Sequence, residues 1–133
     1  MKALNGAYYD PSKSGCGFVL ATQKSSGTVA GSWFGHTNDG RNIWFNVVSR
    51  GPLLKAGSQL EFDVHGTKSG PFPVGSQVQT ENVGELVLVE KSGKLTATMS
   101  VKTRWLATLH PSPMPPADHE TVVTFDLNLL FGP

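Results

Sequence analysis

A chain of 133 residues with a net charge of +1 and only 16% charged residues can bury one core, and it has no basic patch able to hold nucleic acid. Its one cysteine, Cys16, excludes an internal disulfide framework, and no apolar run nears the roughly 20 residues of a membrane-spanning helix. The 15 glycines and 9 prolines suit many short elements joined by tight turns.

Residues 4–9 read as a first strand, ending in Tyr8-Tyr9. Asp10-Pro11-Ser12-Lys13-Ser14-Gly15 is a loop: proline fixes φ, glycine supplies positive φ, and Asp and Ser bond to local backbone. Residues 17–23 form a second strand with Phe18 and Leu20 on one face. Lys24-Ser25-Ser26-Gly27 turns into a third strand, 28–35, that carries Trp33-Phe34. Asp39-Gly40 is a strong hairpin signal and leads into a fourth strand, 42–49. There Ile43, Phe45 and Val47 share one face, and Trp44, Asn46 and Val48 the other.

After a loop over 50–57, residues 59–67 alternate cleanly, with Leu60, Phe62 and Val64 inward and Glu61, Asp63 and His65 outward. Gly70-Pro71-Phe72-Pro73 excludes a central strand over 68–75. A short edge strand is expected at 76–80. Residues 84–90 and 94–102 form a hairpin around Lys91-Ser92-Gly93, the latter strand turning Leu95, Ala97, Met99 and Val101 to one side. Residues 104–109 are expected to continue the sheet. The four prolines of 110–117 predict extended, polyproline-like backbone. A last strand, 121–127, places Val123, Phe125 and Leu127 on one face, and Leu129-Leu130-Phe131 forms an apolar end.

No window carries helical periodicity free of Gly or Pro. The expected fold is all-β: an antiparallel up-and-down barrel or sandwich of about eight short strands, with an extended Pro-rich C-terminal segment. The barrel or sandwich domain is assigned to 1–109, and 110–133 is assigned to the Pro-rich segment, final strand and apolar end. Closure removes sheet edges that so few charges could guard. The predicted core is Phe18, Leu20, Phe45, Leu60, Phe62, Leu88, Leu95, Met99 and Phe125.

Several spaced motifs carry a resemblance. They are Tyr9-Asp10-Pro11, Ser14-Gly15-x-Gly17-Phe18, Trp33-Phe34, Asp39-Gly40-Arg41-x-x-Trp44, Gly70-Pro71-Phe72 and Val83-Gly84-x-Leu86-x-Leu88. Over residues 5–102 this order is similar to a poorly characterised family of bacterial, often secreted, β-domains whose opening motif reads Asn-Pro-x-x-Ser-Gly-x-Gly-Phe. The chain departs from that pattern at Asp10, Cys16 and His36. The resemblance implies an all-β domain and brings no established activity. The first hairpin, with Gly6-x-Tyr8-Tyr9 before a Ser/Gly loop, also resembles the avidin-like barrels.

Catalytic chemistry finds no constellation. The histidines His36, His65, His110 and His119 are scattered, and no pair has metal-ligand spacing. Glu61, Asp63 and His65 read as one solvated strand face, and Gly15-x-Gly17 leads into a strand rather than a phosphate-binding helix. Cys16 between two glycines reads as a small buried filler. No cofactor or metal is expected. What stands out is three adjacent aromatic pairs, Tyr8-Tyr9, Trp33-Phe34 and Trp44-Phe45. Neighbours in a strand face opposite sides, so each pair sends one ring to the core and one outward.

The expected function is therefore non-enzymatic: a structural or interaction module in a larger assembly, such as a phage particle accessory protein or an extracellular surface layer. Low surface charge fits a chain covered by protein partners or by copies of itself. The numbered chain has no signal-peptide-like apolar segment, and a virion or extracellular setting is favoured. The alternative is a small-molecule or glycan-binding barrel with a mouth lined by Tyr9, Asp10, Ser14, Trp33 and Trp44. Leu129, Leu130 and Phe131 complete the expected binding residues, as an arm that reaches a neighbour; the competing reading is that residues 121–127 close the barrel of their own chain, and the sequence leaves both open.

Overall fold

A computed structural model describes residues 3–53, 57–68, 79–107 and 113–131. Eight antiparallel strands follow one another around a closed barrel: β1 (Gly6–Tyr9), β2 (Gly17–Thr22), β3 (Val29–His36), β4 (Asn42–Ser49), β5 (Gln59–Lys68), β6 (Gln79–Lys91), β7 (Lys94–Lys102) and β8 (Glu120–Phe131). Each strand pairs with the next in sequence, and β8 returns to β1. The up-and-down barrel is formed, not the sandwich. Among the described residues no helix is long and apolar enough to cross a membrane.

Strict alternation puts one side of every strand into the interior. Phe18, Trp33 and Phe45 form one inward cross-strand row through β2, β3 and β4. Phe62, Leu86, Met99 and Phe125 fill the other half, and Phe18 meets Phe125 edge to face at 5.5 Å. Of the predicted core only Leu95 is partly buried; the others are buried. The β6–β7 hairpin closes through Ser92 and Gly93, both at positive φ (53° and 77°), as a two-residue turn that matches the strand twist requires.

Three expectations are corrected. Residues 79 and 80 do not belong to a separate edge strand: they open the 13-residue β6. Its pairing with β5 shifts between Val64↔Gly84 and His65↔Asn82, so Val83 is an extra residue in the ladder and turns inward, fully buried. That bulge reverses the in–out parity, which is why the alternation starts only at Gly84. Residues 104–107 do not extend the sheet either. After β7 the chain folds into a single 3-10 turn, Thr103–Trp105, with Leu106 N–H donating to Thr103 O and Asn38 N–H to Leu106 O. The turn seats Trp105 against the core, edge-on to Phe45 at 6.3 Å. An ideal Cβ on Gly66 would lie 2.6 Å from the Trp105 ring, so only glycine lets the indole lie against β5 there.

The third correction concerns the C-terminal end. β8 runs to Phe131 because residues beyond Leu127 have a partner in β1: Tyr9↔Asn128, Tyr8↔Leu129 and Ala7↔Phe131. The final strand thus closes its own barrel, and the boundary at 109/110 does not separate it from the fold. Expectations for Gly70-Pro71-Phe72-Pro73, for 76–78 and for 108–112 fall outside the described residues. Residues 114–116 have no regular structure, and Pro115 O accepts from the Arg104 guanidinium at 3.0 Å.

Candidate functional site

Not one residue of β1, β2, β3 or β4 is Asp, Glu, Lys or Arg. The strands of the other half carry Glu61, Asp63, Glu81, Glu85, Glu90, Lys91, Lys94, Lys102, Glu120 and Asp126. The barrel surface is thus divided lengthwise into a charge-free half and a charged half.

The pairing registers build the charge-free face row by row. Tyr9↔Gly17, Gly17↔Phe34 and Phe34↔Trp44 make one cross-strand row of three rings with a gap at Gly17. Phe34 leans into the gap: a Cβ on Gly17 would stand 3.0 Å from its ring and 2.9 Å from Tyr8 O. Beneath it Val19, Ser32 and Asn46 align, and then Ala21, Ala30 and Val48. Trp44 is 52% exposed, Phe34 43%, and Val19 and Val48 are exposed as well. Ser32 Oγ donates to Asn46 Oδ1 at 3.3 Å, so the polar groups between the apolar knobs are uncharged and partly self-satisfied.

Beside the row, a cleft of about 350 Å³ opens between the strand face and the β1–β2 loop. Tyr9, Pro11 and Phe34 line it with Lys13, Ser14 and Cys16. Cys16 is half buried, and burial pushes its thiol pKa up. The cleft brings together three of the expected binding residues: Tyr9, Asp10 and Ser14.

Asp10 stands in that wall as a fastener. Its Oδ1 accepts from Ser12 N–H at 2.8 Å and Ser12 Oγ at 2.7 Å. Its Oδ2 accepts from the Asp126 N–H at 2.9 Å and from the Lys13 ammonium at 3.3 Å. The Ser12 hydroxyl, the Asp126 and Ser12 amides and the Lys13 ammonium hold its carboxyl well below the usual carboxylate range. Since Asp126 lies in β8, the carboxylate extends the short β1–β8 ladder beyond its last strand pair.

Trp33 is not at the mouth. It is the inward member of its pair, buried and stacked on Phe45 at 5.4 Å, while Phe34 takes the outward place. Its indole N–H is buried with no hydrogen-bond partner among the described residues. Trp44 is outward as expected. Leu129 is exposed but lies in β8, paired with Tyr8; the side chains of Leu130 and Phe131 fall outside the described set. Sequence reasoning missed Phe34, Val19 and Val48. Their signal was present as a charge-free stretch, but only the register shows that these residues share one surface.

On the charged half, the Arg50 guanidinium reaches Asp63 at 2.9 Å and Glu61 and Glu85 at 3.3 Å each. Arg50 pulls the Asp63 carboxyl below its ordinary range. Among the described residues no three His, Cys, Asp or Glu side chains gather where they could hold a metal ion.

No protein-family model, curated protein or solved structure matches this chain.

Proposed function

We propose that the protein is a non-enzymatic interaction module, a subunit that assembles with copies of itself through the charge-free outer face of β2, β3 and β4. The observation that carries this reading is the lengthwise partition of charge. A surface that is to be covered is depleted of charge, because an ion buried without a partner costs several kcal/mol, on the order of 3–5 when one partner of a pair is lost. A surface that stays in water has no such constraint, and β5–β8 show the ordinary mixture. Exposed aromatic rings among small neutral residues are also the side-chain types that dominate interface energetics. A net charge of +1 leaves little repulsion between copies.

The glycan or small-molecule alternative has a narrower footing. The interior is occupied by Phe18, Trp33, Phe45, Phe62, Trp105 and Phe125, so a ligand would use the same outer row.

Light scattering on the purified chain over a concentration series tests the proposal. Association is expected in the wild type and its loss in Val19→Glu, which places a charge at an outward position without touching the core. A wild-type chain that remains monomeric throughout overturns it.

A further inference from the structure

The outward rings of the charge-free half stand at three places in one row: Tyr9 on β1, Phe34 on β3 and Trp44 on β4. The Phe34 ring covers Gly17, since a Cβ built there would meet it at 3.0 Å. The ring therefore leans toward β2 and away from Trp44, which leaves a hollow on each side of it. One lies between Phe34 and Trp44, above the β3–β4 pairing. The other is the cleft of about 350 Å³ walled by Phe34, Tyr9 and Pro11. From β1 to β4 is three strand spacings, about 14 Å at the backbone, and the curvature of the barrel spreads the ring tips further.

Aromatic ridges with apolar hollows between them are the surface that a polyproline II segment fits. In that helix, residues three apart share one edge and stand about 9 Å apart, so two prolines can enter two neighbouring hollows. Proline has no N–H, and the backbone of such a segment offers mainly carbonyl acceptors. The row answers with donors: the indole N–H of the exposed Trp44, and the Tyr9 phenol and Ser14 hydroxyl at the cleft. We propose that the Tyr9–Phe34–Trp44 row is a polyproline-binding surface, and that its occupant is the Pro113–Pro116 segment of a second copy. This deepens the self-association reading and rests on it.

The choice of occupant comes from the segment itself. Pro113-Met114-Pro115-Pro116 sets Pro113 and Pro116 three residues apart and contains no charged group. Pro113, Met114 and Pro116 are exposed, and residues 114–116 belong to no helix or strand. The backbone around them is nevertheless fixed. Pro115 O accepts from the Arg104 guanidinium at 3.0 Å, Pro116 O from the His119 N–H at 3.1 Å, and His119 O from the Thr103 N–H at 2.8 Å. A segment held in place loses less entropy when it docks. Within one chain the two surfaces leave each other uncovered: Met114 and Trp44 are each 52% exposed. A second copy brings the same neutral, proline-rich segment to the row.

The test uses a fluorescein-labelled synthetic peptide of residues 110–119, whose anisotropy is followed as protein is added, and light scattering on the full chain. The peptide is expected to bind saturably to the wild type. Binding should weaken at least about tenfold in Trp44→Ala, an exposed site whose loss leaves the core alone, and equally when the peptide carries Pro113→Ala and Pro116→Ala. The full chain with the same two proline substitutions should associate at least about tenfold more weakly than wild type, at an unchanged melting temperature. If wild-type chains associate and the doubly substituted chain associates equally well, or if the peptide does not bind, the polyproline assignment is overturned and the self-association reading stands. Peptide binding that survives Trp44→Ala overturns it too, by placing the site elsewhere. If the wild type is monomeric throughout, both fail. Peptide binding to such a monomer would assign the row to a proline-rich segment of another protein, and a shift in its Trp fluorescence with neutral oligosaccharides would assign the row to a glycan.

Discussion

At the scale of single residues, Asp10 and Trp33 show how similar sequence signals separate into different roles. Asp10 looks like a ligand group in a mouth, and in the fold its oxygens are used by Ser12, Lys13 and the Asp126 amide. Because the folded chain holds its carboxyl below the unfolded value of about 3.9, its contribution is complete above that pH. It fades as the pH falls toward the folded value. Urea melts at pH 7 and at pH 3 are therefore expected to show Asp10→Asn less stable than wild type at pH 7. The difference should shrink at pH 3, only in part removing the acid loss, since Asp39 and Asp63 are also shifted down. Trp33 gives a second test. Trp33→Ala empties a core position and should cost about 3–5 kcal/mol, whereas Trp33→Phe keeps a ring and removes a buried N–H that has no partner among the described residues. Phe is expected within about 1.5 kcal/mol of wild type in the same melts. The sequence showed that one ring of Trp33-Phe34 faces inward. Choosing which one needed the Phe18↔Trp33↔Phe45 register, which depends on strands far apart in the chain.

At the scale of elements, legibility followed alternation. β4 and β7 begin and end where their patterns do, because each has a polar or turn residue at both ends and no irregularity between. β6 and β8 outrun their readable patterns for different reasons: in β6 the Val83 bulge breaks the period-two signal while the strand continues, and in β8 the strand passes Leu127 because Asn128, Leu129 and Phe131 pair with β1, a partner at the other end of the chain. The consequence for β8 can be tested. Deleting residues 128–133 removes every β8 partner of β1, so the truncated chain is expected to lose melting temperature and near-ultraviolet circular dichroism together. A truncated chain with an unchanged melt would return the end to the role of a free arm. Phe62 inside β5 and the Arg50 cluster on its outer face bracket the range of energies. Phe62→Ala should cost about 3–5 kcal/mol, and Arg50→Ala, at an exposed three-way ion pair, no more than about 1 kcal/mol. Denaturant midpoints at constant m-value measure both.

At the scale of the whole molecule, the seam between β1 and β8 has a bearing on how the protein is made. Every other pairing joins strands adjacent in the chain and can form as a hairpin while synthesis proceeds. The seam joins the first strand to the last, and the Asp10–Asp126 bond spans 116 positions. A ribosome therefore releases the charge-free strands β1 to β4 first, as an open, curved sheet, and the strand that protects its free edge is translated last. Throughout that interval the nascent chain exposes its least charged surface beside an unpaired edge, the combination most prone to association between incomplete chains. Slowing translation within the codons for residues 103–119 prolongs this interval, and the soluble yield should fall with it, whereas the same delay placed within the codons for residues 3–9, before any strand pair can form, should leave the yield unchanged.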